Sequence, residues 1–506
     1  MCGFLGEFSF NNNDLTKRKS FHSLLSLSKH RGPDHTGMLQ DDYYQVGFNR
    51  LAILDVTASG NQPKESPSKK YTVVFNGEIY NYKELQKKHH LTNLQSTSDT
   101  EVLIHLLDKY GIESTIKMLN GMYSIAIVDK FNKTVTLVRD FAGIKPLFYG
   151  RSKKGIVFAS QFNQVFKHPW HNGSLKLRPE VMKEYFGFGF MHAPNTIYDN
   201  IFQVEPGEFL QFSSQGKCVK KAYLKFPKSH SEIKKKKPVN FFDKVLKGAV
   251  SRQLISDVPL ASFLSGGIDS PLITAIAKDI KTDVEAFTFG IDHVKYDEST
   301  KAKAYAKHLK IRHTLENVNV KEIVLSIDEH FQYLTEPFGD YSSIPTFLIT
   351  KKARNTHTVM LSGDGGDELF FGYPRMLDIL NKRYWFYIPF GIRRPLIAIL
   401  NHLKVINTWA PYTFRTLEEW VKAKQLHILP EILDSFFEKE TFSKEVNNLF
   451  EIPKKQSKQQ LLHWLRWNEF YGHMQRVLIK VDRMSMGNSL EVRVPFLDKE
   501  SIAYAW

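Results

Sequence analysis

The chain has almost no cysteine. Two residues among 506, Cys2 and Cys218, cannot build a disulfide framework or a cysteine-based zinc site, which fits a reducing compartment. Long apolar runs are missing too. The most apolar stretch, Tyr387 to Leu400, is broken by Pro389, Arg393, Arg394 and Pro395, and is too short and too charged to span a bilayer. The N-terminus has neither the basic region nor the uninterrupted apolar core of a secretory signal. These absences predict a cytoplasmic protein with no membrane partner. Acid is also scarce relative to base, giving a net charge of +16. That sign invites a nucleic-acid reading, but the lysines are scattered. The one dense run, Lys234 to Lys237, stands beside Pro238 in a polar stretch. No aromatic-flanked RNA-binding signature or helix-turn-helix pattern accompanies it. It reads as a solvated linker, and no nucleic-acid partner is expected.

What is present suits a globular enzyme. Hydrophobic content of 42% and charged content of 24% are ordinary, and the length allows two domains or more. The first ~210 residues read as short alternating strands, among them Tyr71–Phe75, Met122–Val128 and Thr134–Arg139. Phe202–Phe212 and Lys217–Tyr223 look like a closing β-ribbon. After the polar stretch from Ser229 to Asn240, strand-like and helical runs alternate: Pro259–Leu264, Ser270–Asp279, Ala286–Phe289, Ser299–Leu309 and Val359–Leu361. That rhythm predicts βαβ units and a parallel sheet. From about Tyr373 onward the pattern is mainly helical.

Cys2 follows the initiator methionine directly and precedes Gly3. Removal of Met1 would leave one residue carrying both a thiol, with pKa near ~8.5, and an α-amine, near ~7.7–8.0. Nucleophile and base would then share a residue. The bland alternative is a small residue at a strand start. In the second half, Ser265-Gly266-Gly267-Ile268-Asp269-Ser270 follows an apolar strand and opens a helix at Pro271. Its glycines admit a ligand to the backbone, and the helix N-terminal amides suit an anion. The usual P-loop lysine is absent, so this is a different phosphate cradle. A second glycine-rich turn, Leu361-Ser362-Gly363-Asp364-Gly365-Gly366-Asp367-Glu368, carries acids and again follows a strand. In a parallel sheet both loops lie at the carboxyl edge, where ligands bind. Acids facing a phosphate loop suit Mg²⁺.

Ser-Gly-Gly-x-Asp-Ser resembles the pyrophosphate loop of the N-type ATP pyrophosphatases. Joined to Cys2-Gly3, it resembles the glutamine-hydrolysing asparagine synthetases. Further matching segments are Arg31-Gly32-Pro33-Asp34, Asn49 to Asp55, Phe75 to Asn81, Ser98-Asp99-Thr100-Glu101 and Arg139-Asp140 with Gly143 to Leu147. Lys480 to Met486 and Glu491 to Asp498 complete them. The resemblance implies α+β and α/β architecture: an N-terminal αββα glutaminase sandwich of N-terminal-nucleophile type, then a parallel-sheet α/β ATP pyrophosphatase-like synthetase domain with C-terminal helices. The expected divisions are 1–212 for the class II glutamine amidotransferase, 213–240 for a linker and β-ribbon, and 241–506 for the ATP-binding domain.

The resemblance also implies roles. Cys2 would attack the glutamine amide, with Asn76 and the Gly77 amide as oxyanion hole. Arg50 would clamp the substrate carboxylate, and Glu78 and Asp99 its α-amino group. ATP with Mg²⁺ would convert aspartate to an acyl-adenylate that ammonia attacks. Leu264, Ser265, Gly266, Gly267, Asp269, Ser270, Phe289, Ser362 and Gly363 would bind ATP, and Asp269 and Asp367 would hold Mg²⁺. Lys480 would neutralise charge on the α-phosphate, and Asp364 would take a proton from the nitrogen nucleophile. Glutamine, aspartate and ATP are the expected small-molecule substrates, and a homodimer is one open oligomeric state. Asp364 stands where the family often carries Glu, which leaves a sugar-uronic-acid carboxylate as an alternative acceptor. Gln161 and Phe371 replace a usual acid and a usual glycine. A tRNA-thiolating ATP pyrophosphatase and a non-enzymatic regulator are weaker readings. The first lacks its cysteines; the second must explain two complete motif sets.

Overall fold

Alternation along the first strand sends neighbouring side chains into different cores. In Gly3–Ser9, Phe4 and Phe8 enter one cluster while Leu5, between them, enters another. The computed structural model in which this is seen describes residues 2–11, 14–229, 238–291, 297–403, 407–438, 440–453 and 457–506. Met1 and the lysine run Lys234–Lys237 lie outside the described residues.

The first strand sits inside a six-stranded antiparallel sheet. In order across the sheet these are Ile201–Gln203, Phe148–Arg151, Gly155–Ala159, Gly3–Ser9, Tyr44–Arg50 and His35–Gln40. A second antiparallel sheet runs Cys218–Ala222, Glu208–Ser213, Thr134–Arg139, Gly121–Asp129, Tyr71–Ile79 and Lys64–Glu65. Phe4, Phe8 and Phe48 from the first meet Val74, Val128 and Leu137 from the second in one buried layer. Each such side chain contributes about 1.5–3 kcal/mol relative to exposure. Helix Arg18–Ser26 covers the outer face of the first sheet with Phe21 and Leu25. Helix Asp99–Met118 covers the second with Val102, Leu103 and Leu106, packed with Val73 and Phe75. The result is the αββα sandwich.

A five-stranded sheet, parallel throughout, organises the second half. Its order is Arg312–Val318, Glu285–Ile291, Leu260–Phe263, Val359–Leu361 and Glu491–Arg493. Ser262 pairs with Leu361, so the two glycine-rich loops leave the same edge side by side. Helices from Pro374 onward build a separate core around Trp420 and Trp464. Among the described residues no helix is long and apolar enough to cross a membrane.

Two expectations change. Phe202–Phe212 is not one ribbon strand. Phe202 pairs with Tyr149 in the first sheet and Phe209 with Val138 in the second, because the Pro206-Gly207 turn carries the chain from one layer to the other. The partner strand, Cys218–Ala222, is the edge of the second sheet. The mainly helical C-terminal quarter also contributes a strand, Glu491–Arg493, to the parallel sheet.

Candidate active sites

Cys2 enters the structure at the head of a central strand, and Arg50 ends the strand beside it, with Gly3 paired to Asn49. Asn76 lies on the facing sheet, fully buried. The Cys2 backbone nitrogen donates to Asn76 Oδ1 at 2.9 Å, and the Leu51 amide donates to Cys2 Sγ at 3.4 Å. Burial pushes the Cys2 thiol up, and the Leu51 amide partly offsets this. Gly77 follows at φ +142°, where a Cβ would stand 1.9 Å from the Met122 carbonyl oxygen, so no other residue fits. Helix Asp99–Met118 is capped by Ser98, which accepts from the Glu101 amide. That cap fixes Asp99, whose carboxylate accepts from the Ile79 amide at 2.8 Å. Burial raises Asp99 to about 6. Burial, and then the Asp99 charge, raise Glu78 well above its usual range.

Cys2, Arg50, Gly77, Glu78 and Asp99 line one cavity of about 30 Å³. That is room for little more than a water molecule or two, so the pocket is narrow. Arg50 is turned onto its own loop, donating to the carbonyls of Leu54, Asp55 and Thr57 and to Asn61 Oδ1.

The second site is a cavity of about 820 Å³ at the carboxyl edge of the parallel sheet. Its floor is the turn from Ser265 into helix Asp269–Ile280. Ser270 Oγ accepts from the Ser265 amide at 2.8 Å, and Ser265 Oγ from the Gly267 amide at 3.2 Å. The facing loop presses against it: a Cβ on Gly366 would lie 2.2 Å from Asp269 Oδ2. Three carboxylates therefore crowd together. Burial, then Asp367 and Asp364, raise Asp269 to about 6, and burial with Asp364 raises Asp367. Ser362 donates to Asp364 at 2.5 Å.

Of the residues expected at ATP and metal, Leu264, Ser265, Gly267, Asp269, Ser270, Phe289, Ser362, Gly363, Asp364 and Asp367 line this cavity. Gly266 is turned aside, its amide donating to Glu298 Oε2 at 2.9 Å. Lys480 is not a lining residue; its ammonium donates to Ser342 Oγ at 3.2 Å. Sequence reasoning missed Glu298 and Glu368, both lining. Glu368 accepts from the Tyr373 hydroxyl at 2.7 Å and is raised by burial to about 7. Its place beside Asp367 was the available signal; Glu298 had none.

A connection between the sites was also missed. Arg31, fully buried, donates to the Cys2 carbonyl at 3.0 Å and bidentately to Asp482 at 2.8 and 3.0 Å. Burial alone would raise Asp482, but Arg31 and Arg483 override it and hold the carboxyl well below the usual range. Asp482 and Lys480 share helix His473–Gly487. The two unusual residues acquire reasons. Gln161 touches His30 Nε2 at 3.1 Å. Burial, Arg31 and Arg483 depress that imidazole to about 3, so a neutral amide suits a neutral ring. Phe371 occupies φ +64° at a helix end, a left-handed position that favours glycine, and the Arg466 guanidinium stacks on its ring at 4.8 Å.

A glutamine amidotransferase domain model matches residues 1–224, and an asparagine synthase model matches residues 242–506. The chain belongs to the asparagine synthase family. It is 31% identical over 528 aligned positions to asparagine synthetase [glutamine-hydrolyzing] 1 of Bacillus subtilis, covering 99% of this chain and 80% of that protein. It is 32% identical over 426 positions to a putative asparagine synthetase [glutamine-hydrolyzing] 2 of Methanocaldococcus jannaschii, covering 79% of this chain and 82% of that protein.

Proposed function

We propose that the chain is an ATP-dependent glutamine amidotransferase that makes asparagine from aspartate. In the first half, the thiolate of Cys2 attacks the amide carbon of glutamine, ammonia leaves, and water hydrolyses the resulting thioester to glutamate. The role of base falls to the Cys2 α-amine, which requires that Met1 be removed. Asn76 and the Gly77 amide would hold the oxyanion, an element worth roughly 2.7–4 kcal/mol per donor. Glutamine is a zwitterion, and Arg50 with Glu78 and Asp99 supplies the matching charges. In this narrow cavity Arg50 would exchange its loop carbonyls for the substrate carboxylate.

In the second half, an aspartate side-chain oxygen attacks the α-phosphorus of ATP and pyrophosphate leaves. Ammonia then attacks the acyl carbon, AMP departs, and Asp364 takes the surplus proton. The observation that carries this reading is the convergence of Asp269, Asp364 and Asp367 on the Ser265–Ser270 loop. Mutually repelling carboxylates beside a phosphate cradle fit Mg²⁺, which takes few carboxylates plus phosphate oxygens and would neutralise pyrophosphate as it leaves. Lys480 would join the α-phosphate on leaving Ser342. The family match favours aspartate over a uronic acid as acceptor.

The test is pyrophosphate release from ATP with glutamine and a panel of carboxylates. Aspartate is expected to stimulate it. Stimulation by a sugar uronic acid and none by aspartate would overturn the assignment of acceptor.

A further inference from the structure

Asp55 is not a lining residue of the narrow Cys2 cavity, yet it joins the two groups expected to grip a substrate there. Its backbone is in the left-handed region, at φ +48°, where Asn and Asp are accommodated more readily than other side chains with a Cβ. Its buried carboxylate takes four hydrogen bonds. Oδ1 accepts from the Thr57 amide at 3.2 Å and the Thr57 hydroxyl at 2.5 Å. Oδ2 accepts from the Ser96 hydroxyl at 2.5 Å and the Thr97 amide at 3.1 Å. Burial alone would raise this carboxyl, but the donors from Ser96, Thr57 and Thr97 override it and hold it at about 2. The carboxylate therefore stays charged and fastens two loops to each other.

Each loop leads to one of the gripping groups. On one side, the Asp55 and Thr57 carbonyls accept from the Arg50 guanidinium. On the other, Ser96 Oγ accepts from the Ser98 amide at 3.0 Å and lies 2.8 Å from Ser98 Oγ. Ser98 in turn caps the helix that begins at Asp99. Ser98 lines both the narrow cavity and a hollow of about 920 Å³, whose wall also carries Asp55 and Ser96. Asp55 thus acts from behind the pocket, through Arg50 and Asp99. The second half of the chain holds the same loop. Asp257, just before strand Leu260–Phe263, accepts from the Asp55 amide at 2.8 Å and donates its own amide to the Ile53 carbonyl at 3.0 Å.

We propose that Asp55 is a positioning residue of the glutamine pocket. By joining the loop that holds Arg50 to the turn that caps the Asp99 helix, it sets the separation of the cation and the carboxylate that take the two charged ends of the substrate. The inference rests on the reading of this pocket as the glutamine site.

The test is ammonia release by the whole protein from glutamine and from glutaramate, the same amide without an α-amine. Asp55→Asn keeps a side chain suited to the left-handed backbone but removes the charge that faces the donors. The KM for glutamine is expected to rise by about tenfold or more, the scale of one charge-assisted hydrogen bond, with kcat within about threefold of the parent. The lead of glutamine over glutaramate in kcat/KM should shrink by about tenfold as well. Pyrophosphate release with added ammonium should stay within about twofold. Ser96→Ala, which cuts only the bridge from Asp55 to Ser98, is the milder variant if Asp55→Asn does not fold, and should move KM and the glutamine preference by about threefold or more. An unchanged KM and preference in either folded variant overturns the proposal. So do equal losses with the two amides, which would leave Asp55 a role in stability alone. Failure of the parent to hydrolyse glutamine is a separate result: it would overturn the reading of the pocket, and this inference with it.

Discussion

The two candidate sites differ in how they treat charge before any substrate arrives. Around Cys2 the cavity is about 30 Å³ and Arg50 is satisfied by its own loop. Around the phosphate loop it is about 820 Å³, and three carboxylates face one another with their repulsion unrelieved. A narrow pocket suits a compact zwitterion. A roomy acidic one suits a metal–nucleotide pair that brings the missing charge with it.

The sharpest way to separate them is Cys2→Ala. Glutamine-dependent asparagine formation should fall by at least about a thousandfold, while the rate with added ammonium stays within about twofold of the parent, since distant sites act independently. Loss of both rates would mean that the centres are not separable. Next in size is Asp482→Asn. It would leave two buried guanidinium groups, Arg31 and Arg483, facing a neutral amide, at a cost of about 3–5 kcal/mol. Denaturant unfolding measures this, and a cost below about 1 kcal/mol would show that the bridge is solvated in solution.

The smallest effect concerns protons. Asp269 titrates at about 6 in the folded chain, above its ordinary range, so its ionisation costs native stability as pH rises through 6. Asp269→Asn should therefore stabilise the free protein by about 1 kcal/mol after allowance for its partial exposure, while removing synthetase activity. Asp99 is likewise raised to about 6, and burial is the largest cause at both carboxylates. Both half-reactions are thus expected to fade below pH 6 as these carboxylates take up protons. Raising Mg²⁺ should shift only the synthetase limb to lower pH. A parallel shift of the glutaminase limb would contradict the assignment of Mg²⁺ to Asp269 and Asp367 alone.

Much of this was readable from residue order. Helix Ser299–Leu309 and strands Thr134–Arg139 and Val359–Leu361 lie where alternation and periodicity put them. Strand Arg312–Val318 was missed because its residues, RHTLENV, are mostly polar and partly exposed at a sheet edge. Glu491–Arg493 is only three residues long, too short for any period to appear. At the sites, local motifs located Cys2, Asn76, Asp99 and the two loops because backbone turns place neighbours in sequence around one point. Gly266 and Lys480 point elsewhere here because Glu298 and Ser342, distant in sequence, claim them. No spacing rule could have paired Arg31 with Asp482.

That pairing bears on how the chain is made. Arg31 and its carboxylate partner are separated by 451 positions, so the N-terminal sandwich emerges during synthesis long before its buried cation can be neutralised. Until the helix carrying Asp482 arrives, the guanidinium that grips the Cys2 carbonyl must stay hydrated. The strand that Cys2 heads therefore gains its final anchor only when the helix carrying Asp482 has folded, which ties completion of the first candidate site to the second half of the chain.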